Sequence, residues 1–136
     1  MTTFVLDSSA ALRYVDDGAG ADRVEEILAD CASRRAELSI SAVQWGEIAG
    51  KLRKRLGASE EIRILSGLLP SEAKIVSATA NRAVRAAELR VDYRISYADA
   101  FALALAMESP NYVFITADYE FKSVADLAQI EFLPAK

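Results

Sequence analysis

Ser96-Tyr97-Ala98-Asp99-Ala100-Phe101-Ala102-Leu103-Ala104-Leu105-Ala106-Met107 is followed, after residues 108–111, by Tyr112-Val113-Phe114-Ile115-Thr116, and the fold turns on how these two stretches are read. The first predicts a helix from Tyr97 to Met107 capped by Ser96 and apolar on every side, with Asp99 its only charge. A helix with no polar face is buried. The second, mostly β-branched and aromatic, is the clearest strand in the chain. It lacks the alternation of a sheet with one wet face, as expected of a parallel sheet covered by helices.

The same alternation of strand and helix extends outward in both directions. Phe4-Val5-Leu6 predicts a strand ending at Asp7-Ser8-Ser9, where small polar residues cap a helix through Ala10 to Tyr14. After the loop Asp16-Asp17-Gly18-Ala19-Gly20, Val24, Ile27, Leu28 and Cys31 recur at helical spacing, with Arg34 and Arg35 at the end favoured by the dipole. Leu38-Ser39-Ile40 is a strand, and Ser41 caps a helix from Ala42 to Leu56 that Gly57 closes. Another helix starts at Ser59 with Ile62, Leu65 and Leu69 apolar. Lys74 to Ser77 is strand-like, and Thr79 to Asp92 is a helix with Ala83, Val84, Ala87 and Leu89 apolar. Ile130-Glu131-Phe132 is the last strand. The expected fold is α/β: a single domain over 1–136 with a central parallel sheet of four to five strands flanked by helices.

Composition narrows the chemistry. The chain has 136 residues, 52% hydrophobic and 26% charged, with one Cys and no His. A chain of this length buries roughly two-thirds of its unfolded surface and needs no staples. One thiol forms no internal disulfide, which together with the lack of an evident secretory signal or membrane span leads us to expect a cytoplasmic protein. Without His, Ser-His-Asp and Cys-His catalysis are excluded, and carboxylates are left as the metal ligands, a set that suits Mg²⁺ or Mn²⁺. The net charge of -4 weighs against a nucleic-acid partner, unless several of the acids converge on cations.

Four acids stand out. Ligands of open parallel sheets sit beyond the carboxyl ends of the strands, which is where Asp7 and Asp118 fall. Each taken singly is equally well a turn or cap residue. Asp99, in a buried helix, needs a partner. Ser96 to Asp99 matches a capping box with Asp in the Glu position, a role compatible with metal binding. Glu47 lies opposite the stripe of Trp45, Ile48, Ala49, Leu52 and Leu56, on a face with Val43, Gly46 and Gly50 that permits close approach of another element; the alternative is an exposed Glu47 paired with Lys51.

These residues carry a resemblance. Val5-Leu6-Asp7-Ser8-Ser9-Ala10, Gly46-Glu47-Ile48, Ser96-Tyr97-Ala98-Asp99-Ala100 and Ile115-Thr116-Ala117-Asp118, in this order and over nearly the whole chain, resemble a PIN domain of the VapC toxin ribonuclease type. The resemblance implies that Asp7 and Asp99 are metal ligands, that Asp118 completes the cluster, and that Glu47 is a ligand or orients metal-bound water. It implies one or two Mg²⁺ or Mn²⁺ ions, an RNA substrate hydrolysed to 5′-phosphate and 3′-hydroxyl ends, a homodimer and a VapB-like antitoxin. Four carboxylates held together repel by about 1 to 4 kcal/mol for each pair at ~4 Å, a cost that divalent cations remove.

Other readings are a PIN nuclease of RNA processing and a non-catalytic binding module with a structural cation. A haloacid-dehalogenase-type phosphatase is excluded by Ser9 where a second Asp is required, and a phosphoacceptor receiver by the solitary Asp7. Lys51, Arg53, Lys54 and Arg55, and Arg82, Arg85, Arg90 and Arg94, either grip RNA phosphates or form solvated, locally paired faces. Cys31 and Trp45 read as core. Ser8, Ser9 and Thr116 accompany the acids but stand outside the catalytic set.

Overall fold

A computed structural model describes residues 1–135. Five strands form one sheet: β1 (Thr3–Leu6), β2 (Glu37–Ser41), β3 (Lys74–Val76), β4 (Tyr112–Thr116) and β5 (Gln129–Phe132). The helices are α1 (Ser8–Val15), α2 (Ala21–Ala32), α3 (Ala42–Leu56), α4 (Ala58–Leu68), α5 (Ala80–Tyr93) and α6 (Tyr97–Ala106), with a 3₁₀ turn over Tyr119–Val124. Every strand pairing is parallel, and the order across the sheet is β3-β2-β1-β4-β5. From β1 the chain winds outward through β2 to β3, then returns to the other side of β1 for β4 and β5. The winding therefore reverses between β1 and β4, and a crevice opens beyond their carboxyl ends.

Alternate residues of the strands feed two cores. Phe4, Leu6, Leu38, Ile40 and Ile115 face α1 to α4, with Ile48 and Leu52 of α3. Val5 and Phe114 face α5, α6 and the 3₁₀ turn, meeting Leu89, Leu103 and Phe121. This period of two, with both faces covered, explains why the strands are apolar throughout. α6 is enclosed by α3, α5 and the sheet, and its residues Ala100 to Ala106 are all buried. Among the described residues no helix is long and apolar enough to cross a membrane.

Several expectations need correction. Leu56, Ile62 and Val84 are exposed, because α3 runs past the core at its end, α4 packs through Ile64, Leu65 and Leu68, and α5 rests on α6 through the narrow line of Ala83, Ala86 and Leu89. The Asp7-Ser8-Ser9 run caps α1 as expected, through its first residue, the Asp7 side chain accepting from Ala10 N. A Cβ added to Gly46 or Gly50 meets nothing within 4 Å, so these glycines do not mark a close approach by another element.

Gly20 is where backbone freedom is required. It starts α2 in the left-handed region at φ 88°, and a Cβ there would lie 2.8 Å from Leu133 Cβ. Gly20→Ala therefore combines left-handed strain with a clash, and is expected to cost about 1–3 kcal/mol in urea unfolding. A loss under about 0.3 kcal/mol would contradict this packing.

Candidate functional site

The crevice between β1 and β4 gathers the acids. Asp7 follows β1 and is 2% exposed. Its Oδ1 accepts from Ala10 N at 2.9 Å and Ser9 Oγ at 2.8 Å, and its Oδ2 accepts from Thr116 Oγ1 at 2.7 Å. Burial nonetheless pushes the carboxyl up to about 6; the bonds from Thr116, Ala10 and Ser9 oppose the rise and the charge of Asp99 adds to it. The ionised form is thus disfavoured unless a cation offsets its desolvation.

The two strand ends are laced by hydroxyls. Ser9 Oγ and Thr116 Oγ1 lie 3.2 Å apart, Ala117 N donates to Ser9 Oγ at 2.9 Å, and Asp118 N donates to Thr116 Oγ1 at 3.0 Å. Ser9 and Thr116, left outside the catalytic set by sequence reasoning, are the struts that hold Asp7 and Asp118 in register. Ser8 has a different partner, donating from Oγ to Glu47 Oε1 at 3.1 Å.

Asp99 sits in the first turn of α6, where Ser96 Oγ accepts from its amide at 3.1 Å. That is half of the expected capping box; among the described residues the return bond to the Ser96 amide is not made, which leaves the carboxylate free for other partners. Its pKa is raised, first by burial and then by the charges of Asp118, Glu47 and Glu120, with the Ser96 hydroxyl opposing. Asp99 is therefore the electrostatic hub of the site, coupled to Asp7 on one side and to three further acids on the other.

Asp118 caps the 3₁₀ turn, its Oδ1 accepting from Glu120 N at 2.9 Å. The turn carries Glu120 back beside it, and one carboxylate oxygen each from Asp99, Asp118 and Glu120 lie within 4.8 Å of one another. Oxygens on opposite sides of a hard cation at ~2.1 Å are about 4 Å apart, so this trio needs only small movement to hold one. Glu120 is absent from the expected ligand set. Its signal was the Asp118-Tyr119-Glu120 spacing, readable only once a tight turn is assumed there. Asp7 and Glu47 lie outside the trio and border it through Asp99.

The donor set fits a divalent cation of the Mg²⁺ or Mn²⁺ class: every group is a carboxylate oxygen, and the burial and, after it, the repulsion that raise Asp7 and Asp99 are offset by positive charge. Of the basic residues singled out in the sequence, Lys51, Lys54, Arg90 and Arg94 are exposed and make no ion pair among the described residues, so Glu47 is not paired with Lys51. The other four residues of those two clusters are paired: Arg55 with Asp16 at 2.9 Å, Arg82 with Glu108 at 2.9 Å, and at 3.6 Å Arg53 with Glu61 and Arg85 with Glu88. Trp45 packs half-buried against the α1 to α4 core, and Cys31 is buried in it, its thiol pushed up by burial.

No curated protein matches this sequence. The fold is that of several solved structures. VapBC2 from Rickettsia felis, bound to a DNA fragment from its promoter, matches with a TM-score of 0.74 at 17% identity over 97% of this chain and 99% of the other. VapC20 from Mycobacterium tuberculosis, a sarcin-ricin loop cleaving toxin, matches with a TM-score of 0.73 at 18% identity over 96% and 99%. VapBC-1 from nontypeable Haemophilus influenzae gives 0.68 at 16% identity over 96% and 97%. The PIN domain family model matches residues 4–127. That span runs from β1 into the segment before β5 and takes in all five acids around the crevice, and the chain belongs to the PIN domain family.

Proposed function

We propose that this chain is a Mg²⁺- or Mn²⁺-dependent endoribonuclease, the toxin of a VapBC-type toxin-antitoxin pair. The observation that carries the reading is the convergence of Asp7, Glu47, Asp99, Asp118 and Glu120 on one crevice, with Asp7 and Asp99 shifted toward their neutral forms by burial and mutual repulsion. A surface that only needed solubility would keep its acids apart. The toxin role draws on the likeness in fold to VapBC assemblies. Under this reading the protein is a cytoplasmic homodimer restrained by a VapB-like antitoxin.

One or two divalent ions, when bound, supply Lewis acidity, a water of lowered pKa and charge opposite the scissile phosphate. Asp99, Asp118 and Glu120 would hold an ion, and Asp7 would add a ligand from the β1 side. Glu47, set by Ser8, orients the water that attacks the phosphorus. Ser9 and Thr116 keep Asp7 aimed. Lys51, Lys54, Arg90 and Arg94 are free to meet RNA phosphates.

The test is incubation of the purified, partner-free protein with structured total RNA in Mg²⁺, Mn²⁺ or EDTA, with product ends mapped. Metal-dependent cleavage leaving 5′-phosphates, lost in EDTA and in Asp99→Ala, is the expected result. Cleavage that persists in EDTA, or that Asp99→Ala retains within tenfold, contradicts the reading.

A further inference from the structure

Gln44 is fully buried, with 0% exposure, and lies one turn before Ile48 and two before Leu52 on the inward stripe of α3, where both neighbours are apolar. A hydrophobic side chain would fill such a position without the desolvation that an amide suffers. Both ends of the amide are engaged instead. Gln44 Oε1 accepts from Ser8 N at 2.7 Å, and Gln44 Nε2 donates to Ala98 O at 2.7 Å. The partners themselves fix which way the amide points, since the Ser8 amide only donates and the Ala98 carbonyl only accepts.

The two bonds cross 36 and 54 residues of sequence and end beside the acids. Ser8 follows Asp7, Ala98 precedes Asp99, and Gln44 itself stands three residues before Glu47. One side chain therefore joins the backbones of the three segments that bring Asp7, Glu47 and Asp99 together. Those three carry like charge, and sites of this kind need their groups held to about 0.5 Å.

We infer that Gln44 is a positioning residue of the acidic site, fixing the separation of Asp7, Glu47 and Asp99 so that they receive a divalent cation. The inference rests on the metal-dependent reading proposed above. Its prime variant is Gln44→Met, which keeps the volume and removes both bonds. Gln44→Asn keeps both polar functions on a shorter side chain. Ile27→Ala, fully buried in α2, a helix that carries none of the five acids, is the control for lost stability alone.

Mn²⁺ binding by calorimetry and the Mn²⁺ dependence of RNA cleavage are measured at a temperature where circular dichroism shows each variant folded. Removing groups that orient metal ligands typically weakens binding 10–100-fold. Gln44→Met is expected to raise the Mn²⁺ Kd and the activation midpoint at least about tenfold, with activity returning at high Mn²⁺. Ile27→Ala is expected to keep the wild-type midpoint. Should Gln44→Met fail to fold, Gln44→Asn carries the same comparison, with an expected weakening of at least about threefold. A folded Gln44 variant that binds Mn²⁺ within about twofold of wild type overturns this inference alone. A wild type that takes up no Mn²⁺ overturns the inference and the metal-dependent reading together.

Discussion

In metal-free buffer at pH 7.5, Asp7→Asn melts several degrees above the wild type, and it cleaves no RNA when Mg²⁺ or Mn²⁺ is supplied. Both halves of this result have one cause. Burial lifts the Asp7 carboxyl from 3.8 to about 6 in the folded chain, so between those values the folded state holds the proton more tightly than the unfolded state. Stability of the metal-free protein therefore falls as pH rises from about 4 to about 6 and stays low above that, by about 3 kcal/mol at roughly 1.4 kcal/mol per pH unit. Asparagine carries no charge and caps a helix as well as aspartate does, so Ala10 N keeps an acceptor while the desolvated anion disappears. Allowing for a changed bond to Thr116, a gain of about 1–3 kcal/mol is expected, or several degrees in a chain of this size. Activity moves the other way, by at least about 10²-fold, because the ion loses a ligand worth several kcal/mol in the transition state. Adding Mg²⁺ raises the wild-type melting temperature more than that of Asp7→Asn, which keeps the Asp99, Asp118 and Glu120 trio but lacks one ligand. Melting curves over pH 4 to 8, with and without Mg²⁺, check every part; an Asp7→Asn that is less stable than wild type in EDTA at pH 7.5 contradicts the electrostatic account.

Phe114→Ala is expected to have the largest effect on stability. The ring is 0% exposed in β4 and meets Phe121 edge-on at 4.9 Å between centroids. Its removal leaves a cavity that strand and helix backbones cannot close, at a cost of about 3–5 kcal/mol, against a total stability of about 5–15 kcal/mol for a domain. Phe121 belongs to the 3₁₀ turn that carries Glu120 and is capped by Asp118, so metal affinity is expected to weaken along with stability. Guanidinium unfolding of the two proteins measures the first effect and a Mn²⁺ titration at low temperature the second. A loss under about 1 kcal/mol would mean that Phe114 is not the packed centre described.

The fold was legible in the sequence where burial is total. α6 has no polar face and β4 no alternation, and that pair alone points to a parallel sheet covered on both sides. The strand-end acids Asp7 and Asp118 followed from it, and Asp99 followed from being a lone charge in a buried helix. Partial burial was less readable. Leu56, Ile62 and Val84 follow apolar patterns but lie beyond the reach of the neighbouring element, a matter of helix length and crossing that local sequence does not encode.

Glu120 and Gln44 were hidden for different reasons. Glu120 joins the crevice only because Asp118 closes a tight turn, and that turn depends on Phe121 finding the core. Gln44 is a neutral residue on an apolar stripe, and its role emerges only when Ser8 and Ala98, far away in sequence, reach its two ends.

The account depends on the crevice being a cation site, and Mn²⁺ binding tests that most directly. Calorimetric titration of the partner-free wild type and of Asp99→Ala, each folded and stripped of metal at pH 7.5, compares the intact site with one that lacks its hub. One or two Mn²⁺ ions per wild-type chain, with binding abolished in Asp99→Ala, is the predicted result. A wild type that binds no Mn²⁺, or an Asp99→Ala that binds it equally well, would contradict the account.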